Sequence, residues 1–427
     1  MAQDNGKKAG VFFGYVVVVA LIITSFMPLS FGLSCAGIFY PSISEDLGVG
    51  SGFLSYYTPL LWVSALVTLP VMGRLLNNAD ARLCLTAAVV IAAADFVWLS
   101  FTSTLWQFYL GGFVMGISVG MLLFLAPSTL INRWFAKRAG FLLGIVMAFT
   151  GVGGMVWSTV GGMLINAVGW SSTYLVFAAL SACTIPVTLF MVSSSPADKG
   201  LAPWGAEQAA MACEVDGQSV PASGVTASEA FKSPVFYLIL GLCFLLNIGM
   251  YVYFMIPSYA ETLAISATMP LLGATASSVA MAGQTIAKLI LGATGEKHPS
   301  VSTVAMLALG MVGLGLFGFL YGSVVLFYVA ALFFGMYYGI TNVMMPIFTR
   351  MSFGDRDYAR IYSRVSMVAS ISNAVAGFIL GAVIDLTGGY GVMFALVAVM
   401  MLVAILLTVL VVRSRHTVQV SSGVERE

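Results

Sequence analysis

The chain has 427 residues, of which 60% are hydrophobic and only 8% are charged, and its formal net charge is +1. A soluble domain carries about 25% charged residues, so this composition excludes an ordinary soluble protein and indicates that lipid is the solvent of most of the chain. The small net charge gives no indication of a nucleic-acid partner. The five cysteines have no metal-ligand spacing, so we expect neither a metal nor another cofactor.

Twelve apolar stretches are long enough, at about 18 residues or more, to predict membrane-spanning helices. The first follows Lys7 and Lys8, as a signal peptide would, but its length favours a true span. Backbone groups in hydrocarbon must be bonded within their own segment, so we expect an all-α integral membrane protein. The predicted spans lie near 11–39, 53–73, 83–101, 105–131, 140–165, 171–193, 234–257, 271–292, 302–321, 325–349, 361–384 and 391–412.

The basic residues predict the orientation of these spans. All of the 18 Lys and Arg residues except Lys288 fall in segments on the same side as the N-terminus. Short cytoplasmic loops are enriched in Lys and Arg. We therefore expect a multi-pass protein of the cell (plasma) membrane with both termini in the cytoplasm. The opposite loops carry acids instead: Glu45, Asp46, Glu261 and Asp385.

A change of composition divides the chain into two halves. Residues 194–232 are rich in Pro, Gly, Ser and acids, which predicts a cytoplasmic linker between six-helix bundles at 1–193 and 233–416, followed by a tail at 417–427. An internal repeat at an offset of 219 residues places Gly73 on Gly292 and Pro127 on Pro346. Duplicated halves with a binding site between them are the architecture of many secondary transporters.

The loop after the second span and its repeat resemble the major facilitator superfamily, and the resemblance extends over nearly the whole chain. The superfamily signature G-x-x-x-D-R has a second-half counterpart in 292-GATGEK-297. The first-half counterpart, 73-GRLLNN-78, has Asn77 and Asn78 in place of the charged pair. The resemblance implies two pseudo-symmetric six-helix bundles and a gating role for Gly73, Arg74, Gly292, Glu296 and Lys297.

The region of the fourth to sixth spans resembles one branch of this superfamily, the monocarboxylate porters and oxalate/formate antiporters. The similar stretches are 132-NRWFAKRAGFLLGI-145 and 169-GWSSTYLVFA-178. The G-P-x-x-G-G signature of proton-coupled drug exporters is reduced here to 157-WSTVGG-162. The resemblance implies a monomeric transporter of small organic anions and not an enzyme.

Lys288 is the basic residue that departs from the charge pattern. A lysine at the middle of a membrane helix costs about 2.5–3.5 kcal/mol, which favours a functional role. In the branch that the chain resembles, a basic residue four positions before the signature glycine faces the central cavity and pairs with the substrate carboxylate, and Lys288 stands at that spacing from Gly292. Snorkelling toward the interface stays open, since Lys288 is about 6 Å from the predicted helix end. Gln284, one turn earlier on the same face, would bind substrate or a neighbouring helix.

Other polar side chains lie on the helices that line the cavity in the resembled fold, namely helices 1, 4, 7, 8, 10 and 11. Tyr and Asn suit an anionic guest because they donate hydrogen bonds without adding negative charge. Core packing is the alternative for each of them, and Arg364 could simply mark a helix start. Asp95 is the other intramembrane charge, and we expect it to make a structural polar contact. The cavity candidates are Asn247, Tyr251, Tyr338, Asn342, Asn373 and Arg364.

These observations lead to the hypothesis of a secondary active transporter for small organic anions, either monocarboxylates or a short dicarboxylate such as oxalate, working by alternating access. Proton or counter-anion coupling stays open, although 275-TASSVA-280 lacks the acid of proton-linked members and so favours exchange. An alternative is a major facilitator transporter of a neutral or cationic solute, of the drug or sugar exporter type. A more remote alternative is a membrane sensor with a transporter fold.

Overall fold

The computed structural model describes residues 12–49, 51–54, 56–205, 224–267, 269, 272–319 and 322–421. Over these residues the chain forms twelve long helices and no β-strand. The first six are α1 Phe13–Leu47, α2 Tyr57–Asn78, α3 Ala81–Ser100, α4 Leu105–Trp134, α5 Ala139–Val168 and α6 Trp170–Met191. The second six are α7 Pro234–Ala260, α8 Leu272–Thr294, α9 Pro299–Phe319, α10 Val324–Phe353, α11 Tyr358–Thr387 and α12 Tyr390–Ser421.

Eleven of the helices within the described ranges are both long enough and apolar enough to cross a membrane. The remaining one, α8, has 23 residues and therefore the required length, but its sequence carries Gln284 and Lys288. The predicted all-helical membrane fold is confirmed, and each predicted span coincides with one of the twelve helices. The ends differ by a few residues because polar residues past the apolar core still complete the last turns of a helix.

Two segments differ more clearly from the sequence-based boundaries. The last helix continues to Ser421, past the predicted span end at 412 and into the predicted tail. Within the predicted linker, the described residues form a short turn at Ala197–Lys199 and a four-residue helix at Ala227–Ala230. The linker residues 206–223 lie outside the described part of the chain.

Four helices are interrupted near their middles, which the hydrophobic pattern did not predict. A π-helical segment at Ser25–Leu29 contains Pro28 in α1, and a second one at Gly120–Leu125 precedes Pro127 in α4. The helix α7 is broken by a turn at Tyr251, and α10 by a turn at Gly339. Such interruptions expose backbone groups and allow a helix to bend. All four occur in helices 1, 4, 7 and 10, which are among the six helices that line the cavity in the resembled fold.

The internal repeat is visible in how glycines pack against neighbouring helices. A Cβ atom at Gly73 of α2 would lie 2.7 Å from Ser363 Cβ of α11, and one at Gly292 of α8 would lie 2.8 Å from Gly144 Cα of α5. Ser363 and Gly144 are themselves 219 positions apart, so the same offset relates the glycines and their contacts. The α2–α11 and α5–α8 interfaces are therefore pseudo-symmetric copies of each other.

Both interfaces join the first six helices to the last six at one end of the bundle. This end, called the signature face below, contains the α2–α3 connection at 79–80 and the α8–α9 connection at 295–298. Arg350, near the end of α10, adds a hydrogen bond of 3.3 Å from its Nη2 to the carbonyl oxygen of Phe135, between α4 and α5. The two halves are thus packed together at the signature face.

Candidate functional site

Lys288 lies between the two halves of the protein and is completely buried. Its Nζ donates a hydrogen bond of 2.7 Å to Thr150 Oγ1 on α5. The Thr150 hydroxyl in turn donates to the carbonyl oxygen of Met147 at 2.7 Å, so its oxygen is oriented to accept the lysine proton. The Tyr338 ring of α10 is 6.0 Å from Nζ, at the outer limit of a cation–π contact. Neither of the two ion pairs among the described residues includes Lys288.

The glycines of α5 let this helix approach α8 closely, and this close contact encloses Lys288. A Cβ atom at Gly144 would lie 2.5 Å from the carbonyl oxygen of Lys288 and 2.7 Å from Gly292 Cα. Only a glycine allows the two backbones to approach this closely. The lysine side chain consequently points into the interface between the halves and does not reach the signature face.

Gln284 accompanies Lys288 on the side of α8 that faces α5. It is 5% exposed, and its Cγ lies 3.6 Å from where a Cβ atom of Gly151 would be. Its Oε1 has no hydrogen-bond partner within the described residues. Buried polar atoms are normally bonded, so an unpaired amide oxygen beside a lysine that has no countercharge within the described residues marks a polar site with unused capacity.

Two other candidates form a separate amide pair between α7 and α11. Asn373 Nδ2 donates to Asn247 Oδ1 at 3.3 Å, and Asn247 Nδ2 donates to the carbonyl oxygen of Cys243 at 2.8 Å. Asn247 and Asn342 also line a common cavity of about 10 Å³, which reaches across to Phe124 of α4. This volume corresponds to about one water molecule, so an organic substrate does not fit in the present conformation.

The remaining cavity candidates are only partly connected to Lys288. Tyr338 lies between the lysine and Tyr253 of α7, whose ring centroid is 5.2 Å away. Tyr251 lies at the break of α7, and a Cβ atom at Gly377 of α11 would fall 2.6 Å from its hydroxyl. The half-buried Arg364 contacts Met367 Sδ at 3.5 Å within its own helix. No contact joins Arg364 to the lysine among the described residues.

Glu296 of the loop signature binds the start of α5 across the interface. Its Oε1 accepts a hydrogen bond of 2.6 Å from the backbone N–H of Gly140. The first N–H groups of a helix lack intrahelical partners and carry partial positive charge, so a carboxylate there stabilises the contact by about 0.3–1 kcal/mol. The other charged signature residues, Arg74 and Lys297, are exposed.

Comparison with known proteins decides the family. The sequence profile described as Major Facilitator Superfamily matches residues 21–283 and 272–426. The chain belongs to the Major Facilitator Superfamily. It is therefore a multi-pass membrane protein of a superfamily whose members are transporters, not enzymes, and typically work as monomers on small-molecule substrates.

Several proteins with sequences similar to this chain are named as monocarboxylate transporters. Human monocarboxylate transporter 6 is 24% identical over 212 residues, which cover 48% of this chain and 42% of that one. Chicken monocarboxylate transporter 9 is 28% identical over 170 residues, which cover 39% and 33%. The Aspergillus niger MFS-type transporter pynF is 24% identical over 319 residues, which cover 72% and 65%. The chain thus spans less than half the length of both monocarboxylate transporters.

A solved structure confirms the fold of this major facilitator protein. The proton:xylose symporter XylE superposes with a TM-score of 0.70, covering 92% of this chain and 94% of that one at 14% sequence identity. Identity this low supports the shared architecture alone.

The major facilitator fold brings Lys288, Gln284 and Tyr338 to one interface, and sequence reasoning missed the lysine's partner there, Thr150. The predicted cavity wall did not include α5. The available signal was the glycine-rich face of α5, where Thr150 directly precedes Gly151 and lies one turn before Gly154. Small residues on one face of a membrane helix indicate close packing against another helix.

Asp95 does not make the polar contact that we expected of it. It is 2% exposed on α3, and neither carboxyl oxygen has a hydrogen-bond partner within the described part of the chain. Its Oδ1 lies 3.3 Å from where a Cβ atom of Gly111 on α4 would be. The expectation was wrong because α3 packs against a glycine face here, which offers no side-chain donor. Burial of a carboxyl group without a hydrogen-bond partner is costly.

We expect Asp95→Asn to leave transport within about twofold of wild type, with a thermal unfolding midpoint that is unchanged or higher, because replacing an unpaired buried group costs little. Uptake into proteoliposomes and unfolding in detergent measure the two quantities. Asp46→Asn is the matched control, since Asp46 accepts a hydrogen bond from Trp170 Nε1 and a neutral amide oxygen accepts this bond more weakly, which should lower the midpoint. A tenfold loss of uptake in Asp95→Asn would contradict a passive role for Asp95.

Proposed function

We propose that this protein transports small organic anions by alternating access and that Lys288 binds the anion. The observation that supports this proposal is the burial of Lys288 between the halves, where its partners among the described residues are a hydroxyl and a ring. A buried ammonium without a countercharge is costly. A substrate carboxylate would supply that countercharge through a charge-assisted hydrogen bond.

The relatives support the same substrate class. The two matched monocarboxylate transporters, human and chicken, share the superfamily with this chain at 24% and 28% identity. Their matches cover under half of each protein, so the substrate assignment rests on their names together with the lysine and not on either alone.

The conformation supports a cycle in which the signature face opens and closes. Separation of α5 from α8 would break the bond between Lys288 and Thr150 and free the ammonium for a substrate. The glycine contacts at Gly144 and Gly292 provide the surface along which these helices part. We further propose that the signature face is cytoplasmic, that both termini lie there, and that the protein resides in the plasma membrane.

We propose that transport is coupled to the exchange of one anion for another and not to protons. The helix α8 contains no acid beside Lys288 that could carry a proton. An empty carrier would have to close around an unpaired ammonium, whereas a loaded carrier would close around a neutral pair. Closing around the neutral pair is less costly, so the empty carrier should return across the membrane more slowly than the loaded carrier.

The proposal is tested with the purified protein in proteoliposomes that contain lactate, formate or oxalate. Labelled anion outside the vesicles should enter saturably, and preloaded anion should accelerate entry more than a proton gradient does. Uptake of a labelled sugar or a cationic dye without carboxylate uptake would overturn the proposal in favour of the neutral or cationic alternative. Carboxylate binding without flux would instead indicate a sensor.

A further inference from the structure

The interface between α2 and α11 has three contact positions near the signature face. A Cβ atom at Gly73 of α2 would lie 2.7 Å from Ser363 Cβ and 2.9 Å from the carbonyl oxygen of Ala359, both on α11. The two helices run in opposite directions, since α2 ends at the signature face and α11 begins there. In two antiparallel right-handed helices, the residues that directly follow such contact positions turn to the same side of the interface.

The residue that follows each of these contact positions is an arginine. The three residues are Arg74, Arg360 and Arg364. Arg74 and Arg360 are exposed and Arg364 is half-buried, so all three reach the surface of the bundle. One guanidinium group therefore comes from the first half of the chain, and two come from the second half.

The equivalent side of the α5–α8 interface is apolar. The offset of 219 residues relates the three arginines to Ala293, Phe141 and Ile145. Ala293 and Phe141 are exposed and Ile145 is half-buried, which is the same pattern of exposure. Exposed apolar side chains at this depth contact lipid, where arginine is costly. The fold does not require the arginines, because its other copy forms without them.

The charge of the three arginines is not neutralised by the described part of the chain. Neither ion pair among the described residues includes any of them. Asp357, one turn before Arg360, has its Oδ2 bound to the backbone N–H of Ala227 at 2.9 Å. Asp355 is paired with Arg350 at 3.0 Å. Even if Asp357 is counted in full, three guanidinium groups face one carboxylate, and their mutual repulsion favours an anion from outside the chain.

Exposed apolar side chains continue the same surface toward the middle of the membrane. Val67 and Val71 precede Arg74 by seven and three residues on α2, and Ile371 follows Arg364 by seven residues on α11. These spacings place them on the same helix faces as the arginines. The three apolar side chains are 61%, 65% and 36% exposed. A ligand that fits this surface has an anionic group next to apolar chains, as an anionic phospholipid does.

We propose that Arg74, Arg360 and Arg364 bind the headgroup of an anionic phospholipid whose acyl chains lie along the adjoining apolar surface. Arginine binds phosphate oxygens through charge-assisted and often bidentate hydrogen bonds. Because the arginines come from both halves, the bound headgroup holds α2 against α11 and stabilises the closed signature face. The proposal assigns Arg364 to the membrane surface and not to the substrate cavity, and it does not depend on the proposed substrate.

Thermal unfolding of the full-length protein in detergent tests this proposal with dioleoyl phosphatidylglycerol as the probe. A ligand that binds only the folded state raises the unfolding midpoint, and we expect a saturable rise of about 3 °C relative to the same amount of dioleoyl phosphatidylcholine. Inorganic phosphate at equal ionic strength should give no rise. The triple variant Arg74→Ala, Arg360→Phe, Arg364→Ile copies the α5–α8 surface and should lose the response. Arg413→Ile removes an exposed arginine near the signature-face end of α12 and should keep it.

Two further measurements test the bridging of the halves. Arg74→Ala alone removes the arginine of the first half and should reduce the rise only in part. Ser363 is 1% exposed, so labelling of Ser363→Cys by a water-soluble maleimide requires the interface to open. In nanodiscs, this labelling should be slower in phosphatidylglycerol than in phosphatidylcholine.

Four results would overturn the proposal. Two of them are the absence of a phosphatidylglycerol response in the wild type and an equal response in the triple variant. The third is an equal rise with inorganic phosphate, which would indicate a free-anion site without a lipid. The fourth is equal labelling of Ser363→Cys in both bilayers, which would show that the lipid does not hold the halves together.

Discussion

Lys288→Met is expected to reduce the apparent affinity for carboxylates by roughly 30-fold or more. Removing one member of a buried charged pair costs about 2–5 kcal/mol, and about 1.4 kcal/mol corresponds to a tenfold change. Methionine preserves the unbranched side chain in the tightly packed space between α5 and α8, so the change removes the charge with little loss of packing. Initial rates of labelled lactate or oxalate uptake over a concentration series measure the effect.

Two control variants make the result specific to the buried charge. Lys288→Arg keeps the positive charge and should retain measurable uptake, although the planar guanidinium differs in shape from an ammonium. Lys232→Met removes an exposed lysine just before α7, outside the loop signature, and should keep the wild-type affinity. Wild-type affinity in a correctly folded Lys288→Met protein, judged by size-exclusion chromatography, would rule out the assigned role of Lys288.

Gly144→Val is expected to lower the transport rate by about fivefold to 150-fold. Its new Cβ atom would lie 2.5 Å from the carbonyl oxygen of Lys288, and a backbone atom cannot move aside as a flexible side chain can. Overpacking of this kind costs about 1–3 kcal/mol, which here opposes the closed arrangement of the two halves. Exchange rates in proteoliposomes at saturating anion report the loss.

Gly162→Val is the matched control, since it places the same β-branched residue in the same helix where no atom lies within 4 Å of the new Cβ. It should transport like wild type. A cysteine at position 363, which is 1% exposed at the α2–α11 interface, reports opening of the signature face. A water-soluble maleimide should label Ser363→Cys faster when Gly144→Val is also present. Equal labelling rates would show that the glycine contact does not control closure.

The fold could be predicted from the sequence because its main signals are local. The stretch at 391–412 is apolar enough to span a membrane whatever surrounds it, and the structure has α12 there. The repeat was equally accessible, since Gly73 and Gly292 keep their offset in the chain and their packing in the structure. Lys288 was identifiable because a charge within an apolar run is costly in any membrane fold.

The interruptions of α1, α4, α7 and α10 could not be predicted from the sequence in this way. Hydropathy is nearly unchanged across Ser25–Leu29 and across Tyr251, so the pattern continues where the helix geometry changes. Pro28 and Pro127 were available as signals, but proline in a membrane helix can be accommodated in several ways. The packing of neighbouring helices decides which of these occurs.

The sequence by itself determined that this protein is a two-half membrane bundle of the Major Facilitator Superfamily with one lysine deep in an apolar helix. Only the tertiary structure decided what that lysine meets. Thr150 is 138 residues away in the chain, and no periodicity links the two positions. Helix packing likewise decided that Asp95 has no hydrogen-bond partner among the described residues and that Glu296 binds the N–H of Gly140. The composition and hydrophobic periodicity of a segment indicate whether it can lie in lipid. The partners of a buried polar group depend instead on which helix faces it.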